Sequence, residues 1–189
     1  MHKISTRSMQ TKHTFYKAYI TLLEHFKSES ITIKQLSQTA QLNRVTFYKH
    51  FTNIEQFRQQ CLDFYIETLY TFMKPLNYKT YEKGFEYDAL VQLLTHILND
   101  KKTYKILLTS EYIPEFNKGL LAFFQEKIKK HTEEMAKFDF PGTNVQLEIV
   151  TWYGVSALFG TIIMWAHSNF KYSPKQLAQS IIKLTPHHQ

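Results

Sequence analysis

Residues 44–51 read Arg44-Val45-Thr46-Phe47-Tyr48-Lys49-His50-Phe51. Phe47 and Phe51 lie four apart, so on a helix they share one face and can be buried together. That leaves Arg44, Val45, Thr46, Tyr48, Lys49 and His50 for the opposite face and the ends. These types suit the edges and backbone of a nucleic acid. An arginine fork matches the two acceptors of a guanine in the major groove, and the methyls of Val45 and Thr46 can meet a thymine methyl. Tyr48, Lys49 and Thr32 suit phosphate oxygens, which position a protein without reading sequence. Helix N-termini near Thr32, Asn43 and Asn53 offer further amide donors for phosphates. Lys3, Arg7 and Lys12 can run as an arm along a polyanion.

The charge distribution agrees. Residues 1–60 hold nine Lys and Arg against three acids, whereas residues 61–189 hold fourteen against thirteen, within a net +7. A polyanionic partner for the first third is the natural inference, although charge alone is equally compatible with a solvated basic face.

Elements that position these residues follow from periodicity. Phe15, Ala18, Leu22, Leu23 and Phe26 recur at helical spacing and predict an amphipathic helix over 6–27. Thr32 predicts an N-cap for a short helix over 33–40, Gln41-Leu42-Asn43 a turn, and Asn43 the cap of a helix over 44–51. Two short helices joined by a three-residue turn and braced by a longer one make a helix-turn-helix, whose second helix enters the major groove. Asn53 caps a long helix over 54–73, ended by Pro75. A Tyr-rich polar loop is expected at 77–84. Helices are expected over 85–99, 102–109, 114–138, 143–169 and 174–184, with Pro141-Gly142 as a break and Ser173 as the last cap. Five Gly and five Pro in 189 residues leave little material for many tight turns. The fold class is therefore all-α with about nine helices: a three-helix head over 1–52 and a helical bundle over 53–189.

Several chemistries find no support. There is no Gly-rich phosphate loop, no Gly-x-Ser-x-Gly and no Cys-His pairing, which argues against an enzyme. The nine histidines form no metal-ligand spacing beyond the terminal pair His187-His188, and no cofactor or metal is expected. Cys61, the one cysteine, sits in an apolar helical run and reads as a buried thiol. No secretory segment is legible at the N-terminus, so a cytoplasmic protein is expected. Residues 149–170 carry no charge and have the length of a bilayer span. Their content of Thr151, Tyr153, Ser156, Thr161, His167, Ser168 and Asn169 favours a helix buried at a subunit interface, where Gly154, Ala157 and Gly160 admit a partner backbone. Ile163 and Ile181 complete the predicted dimer face. Phe64, Tyr104, Phe116, Phe123 and Trp152 read as core or as the lining of a pocket for a small apolar or aromatic effector.

Residues 31–57, ITIKQLSQTAQLNRVTFYKHFTNIEQF, resemble the DNA-binding head of the TetR/AcrR family of transcriptional regulators. In that family a Thr opens the second helix, an Ala-Gly-Val-Ser-like turn follows, and a Tyr, a polar residue and a Phe precede a polar stop. These fall on Thr32, on Ala40-Gln41-Leu42-Asn43, and on Tyr48, His50 and Phe51. Gln41 stands where the turn usually has Gly, and Val45 stands in place of a common small residue, which bears on the bases read. The stretch from Trp152 to Trp165, then Phe170 to Pro174, is similar to the last two helices of regulators like the activator of dihydroxyacetone kinase operons. The resemblance implies a homodimer formed through those helices, binding a pseudo-palindromic double-stranded DNA as a repressor under small-molecule control. A protein of the same fold acting through a protein partner, and a helical-bundle enzyme or lipid-binding protein, are the alternatives.

Overall fold

A computed structural model describes residues 6–73, 87–134 and 146–184. The chain is all-α. Nine α-helices follow one another among the described residues: α1 (Thr6–Leu22), α2 (Ile33–Thr39), α3 (Arg44–Tyr48), α4 (Ile54–Met73), α5 (Tyr87–Asn99), α6 (Lys101–Thr109), α7 (Pro114–Glu134), α8 (Leu147–His167) and α9 (Pro174–Leu184). The expected loop at 77–84, the stop at Pro75, the break at Pro141-Gly142 and the His187-His188 pair lie outside the described residues. The first helix is shorter than its apolar spacing predicts. Regular α structure ends at Leu22, and Glu24 and His25 donate to carbonyls only three residues back, which tightens the chain into a turn.

Two compact units emerge. The first comprises Met1–Tyr65 with Ser110–Pro114, the second Ile66–Thr109 with Glu115–Gln189.

The first unit is built around aromatic rings. Phe15, Tyr19, Phe47, Phe51, Phe57 and Cys61 are all buried, with Leu36 and Ile31 beside them. Phe47 lies 5.5 Å from Phe15, 5.1 Å from Phe51 and 5.5 Å from Phe57, and Phe51 meets Phe57 edge-on at 4.9 Å. Tilted and edge-to-face rings at these separations gain from their quadrupoles as well as from burial. The segment Ser110–Pro114 joins this unit through Ile113, which is buried, and through the Tyr112 carbonyl, which accepts from the Ser28 amide at 3.1 Å.

In the second unit, α5 buries Ala89, Leu90, Leu93, Leu94 and Ile97 and packs on α9, which contributes Leu177, Ala178 and Ile181. α6 packs on α8, where Val155, Leu158, Phe159, Ile162 and Trp165 are buried. Ser173 closes a capping box with Gln176 ahead of Pro174. α8 ends in a Schellman motif: the Phe170 amide donates to Trp165 O, the Asn169 amide to Ala166 O, and the two side chains meet edge-on at 4.9 Å. No described helix is long and apolar enough to cross a membrane. No group of three or more His, Cys, Asp or Glu able to hold a metal occurs among the described residues.

Candidate nucleic-acid interface

The pair α2–α3 is set by local chemistry at each end. Thr32 caps α2 in a reciprocal box, its hydroxyl accepting from the Gln35 amide while Gln35 Oε1 accepts from the Thr32 amide at 2.9 Å. At the other end the Leu42 amide donates to Ser37 O and the Gln41 amide to Gln38 O, which is a second Schellman motif. The motif needs a left-handed residue, and Gln41 supplies it with φ of 54°. Asn43 then caps α3, its Oδ1 accepting from the Val45 amide at 2.8 Å. Asn53 caps α4 through the Gln56 amide at 2.8 Å. The three caps thus already take the Gln35, Val45 and Gln56 amides.

Gln41 pays for that conformation. A side chain in the left-handed region costs roughly 1–2 kcal/mol, part of which glycine gives back through its freer unfolded chain. Gln41→Gly is expected to stabilise the first unit by up to about 1 kcal/mol, read as a higher denaturation midpoint; a lower midpoint would show that the Gln41 side chain makes compensating contacts.

Burying Phe47 and Phe51 turns the rest of α3 outward. Arg44, Val45, Tyr48 and Lys49 are exposed, Val45 by 61% and Tyr48 by 59%, and Thr46 and His50 are half-buried. Two large apolar side chains uncovered side by side on a five-residue helix leave the surface ready for a partner. Thr32, Asn43 and Asn53 are exposed on the caps, and Arg7 is exposed in the first turn of α1. Lys3 lies outside the described residues.

Two features of this site were not found by sequence reasoning. Arg58 reaches back from α4, its Nη2 donating to Glu29 O at 3.2 Å and Ile31 O at 3.1 Å, which ties the chain leading into α2 onto α4. Its only sequence signal is a charged residue four from both Ile54 and Leu62, on the inward side of the helix. The second is a cluster in which Ser8 Oγ lies 3.4 Å from His50 Nδ1 and Lys12 Nζ donates to Gln60 Oε1 at 3.0 Å. Burial first, then the charges of Lys12 and Lys49, hold His50 below the ordinary histidine pKa.

The residues read as a pocket lining fall in both units. Phe64 belongs to the first, its ring tilted against Tyr16 at 5.3 Å and His13 at 5.4 Å. Tyr104, Phe116, Phe123 and Trp152 belong to the second. Tyr104 is buried with its hydroxyl 2.7 Å from His96 Nε2, and Phe116 is fully buried. Phe123 meets Tyr70 edge-on at 5.5 Å, whereas Trp152 is half-exposed.

Of the residues read as a dimer face, Ala157 and Gly160 are exposed, and Gly154 and Ile163 are partly so. A Cβ built on Gly154 or Gly160 would meet nothing within 4 Å. They share a stripe with Ile149, Trp152, Tyr153 and Met164, all exposed. Ile181 is buried within its own chain, on the face of α9 that meets α5.

A family model described as a transcriptional regulator C-terminal region, of TetR type, matches residues 86–187. Among solved structures, the chain is similar to a TetR transcriptional regulator from Streptococcus agalactiae, at 19% identity over 93% of each chain with a TM-score of 0.65. It is similar to the dihydroxyacetone kinase operon activator DhaS, at 20% identity over 94% of each chain with a TM-score of 0.58. The regulator FadR from Bacillus subtilis, solved in complex with stearoyl-CoA, matches at 14% identity over 91% of this chain and 96% of that one, with a TM-score of 0.58. At these identities the likeness is one of fold. No curated protein matches the chain.

Proposed function

The chain belongs to the TetR family of transcriptional regulators, and from that premise we propose that it binds a pseudo-palindromic DNA operator as a homodimer and represses transcription by occupying it. The observation that carries this reading is the outward face of α3. Arg44, Val45, Tyr48 and Lys49 stand exposed on a capped helix whose underside is locked by Phe47 and Phe51, in the third of the chain that holds almost all the excess positive charge. Arg44, Val45 and Thr46 read base edges in this proposal. Tyr48, Lys49, His50, Thr32 and the arm from Lys3 and Arg7 hold phosphates, with Asn43 and Asn53 at the helix ends.

A head over 1–52 and a body over 53–189 divide the labour. The uncovered apolar stripe of α8, with Tyr153 72% and Met164 66% exposed, supports a second copy as its cover. The body holds a small apolar or aromatic effector, which acts by shifting the population of dimers whose two heads fit two half-sites.

Selection of random double-stranded DNA by the purified protein, at two salt concentrations, tests the reading. The expected result is a palindrome whose half-sites lie about 34–36 Å apart or a multiple of that. Binding that weakens with salt and enriches no motif would leave only a nonspecific basic surface and overturn it.

A further inference from the structure

The Ser8–His50 cluster has more in it than a row of positive charges. Ser8 and Lys12 are one turn apart on α1, and Lys49 and His50 follow the end of α3. Lys12 is held rather than loose: its Nζ donates to Gln60 on α4 at 3.0 Å and lies 5.4 Å from the centre of the Phe51 ring. Ser8 engages His50 at Nδ1, so Nε2 is the nitrogen that can meet a further partner. The charges acting on His50 are Lys12 from α1 and Lys49 from its own helix end, and α4 brings the neutral Gln60 to Lys12. Two cations, a hydroxyl and an imidazole within one patch, with no carboxylate among the described residues acting on the imidazole, make a place for a tetrahedral oxyanion.

We propose that Ser8, Lys12, Lys49 and His50 form one phosphate-binding cluster for the DNA backbone, and that His50 takes up a proton as the phosphate settles, so that DNA affinity rises as the pH falls. The proposal rests on the DNA-binding reading above. In the free protein partial burial, and after it the two cationic neighbours, disfavour the charged ring. A phosphate beside it reverses the field and favours the imidazolium. Nδ1–H then donates to Ser8 Oγ, and Nε2–H donates to a phosphate oxygen. The sign follows: the histidine binds its proton more tightly in the complex, so binding takes up protons in the window between the free and bound titrations. Affinity increases as the pH is lowered through that window and levels off beneath it.

The test needs no operator, because backbone contacts are independent of sequence. The full chain is titrated with a random-sequence duplex at pH 8 and pH 6, each at several salt concentrations. Affinity is expected to rise about three- to tenfold per head at the lower pH, and the slope of log K against log salt to steepen by about 0.9 per head, as one more cation meets the backbone. His50→Gln is expected to bind with the same affinity and slope at both pH values, whereas His25→Gln keeps the wild-type response. The ring of His50, followed by NMR in the wild-type protein, is expected to titrate at higher pH with DNA than without it. A pH response that survives in His50→Gln, or wild-type binding that ignores pH, overturns the cluster while leaving DNA binding intact. No binding to any duplex at either pH overturns the DNA-binding reading and the cluster with it.

Discussion

Phe47→Ala is expected to destabilise the first unit by about 3–5 kcal/mol, the range for emptying a fully buried phenylalanine site. Phe47 has no exposed surface, and its ring is shared among Phe15, Phe51 and Phe57 at 5.1–5.5 Å. Alanine removes a side chain that touches all three. Those rings come from α1, from the third residue past the end of α3 and from α4, so they cannot close the gap without moving the segments that carry them. A domain's whole stability is about 5–15 kcal/mol, so this loss takes a large part of the head's reserve. DNA binding is expected to fall through unfolding rather than through a lost contact, and to recover partly on cooling. Both tryptophans, Trp152 and Trp165, lie in the second unit, so their fluorescence does not report on the head. Hydrogen exchange of amides in α1 and α3 does. Phe26→Ala is the matched control, since Phe26 is 40% exposed, and its cost is expected to stay within about 0.5 kcal/mol. A cost for Phe47→Ala under about 1 kcal/mol would mean that α3 does not pack on this face.

How far the sequence anticipates such a core depends on the range of the interaction. Phe47 and Phe51 at four-residue spacing, and the caps at Thr32, Asn43, Asn53 and Ser173, are signals carried within one helical turn, and the structure has those residues in those places. The turn at Gln41 was legible, and the resemblance marked the position as one that usually holds Gly, which left a tolerable or a strained backbone open; the structure has it left-handed, of which the glutamine itself gives no local sign. Tertiary partners were beyond reach. Ser8 and His50 are 42 residues apart, Lys12 and Gln60 are 48 apart, and Arg58 meets a carbonyl 27 residues back. Periodicity states which side of a helix is apolar, not which polar atom waits opposite.

α8 shows a different limit. It is apolar nearly all round, so no stripe in the sequence separates its inner from its outer side. Trp152 reads there as readily as a pocket wall as it does as an exposed face, and it is packing against other helices, α6 among them, that decides that Val155, Leu158 and Ile162 are the ones covered. The head escapes this ambiguity because Lys, Arg and Thr are interleaved with its aromatics.

Arg44→Ala and Lys49→Ala make the second large prediction, and they are expected to fail differently. Both side chains are exposed, so neither substitution should alter folding by more than about 0.5 kcal/mol. Arg44 stands in the first turn of α3, beside the cap Asn43, in the part of a recognition helix that reaches base edges. Its loss is expected to cost about 1–3 kcal/mol on the selected operator, relax preference at one base pair in each half-site, and leave random DNA almost unaffected. Lys49 stands at the far end, as the C-cap of α3. Its loss is expected to weaken operator and random DNA alike, and to reduce the salt slope by about one per head. Measuring each variant on both duplexes across a salt series separates the two roles. Equal losses on both duplexes for Arg44→Ala would place the arginine on the backbone, and the register of α3 in the groove would then have to turn so that Val45 and Tyr48, the two apolar side chains it leaves exposed, lead the reading of bases.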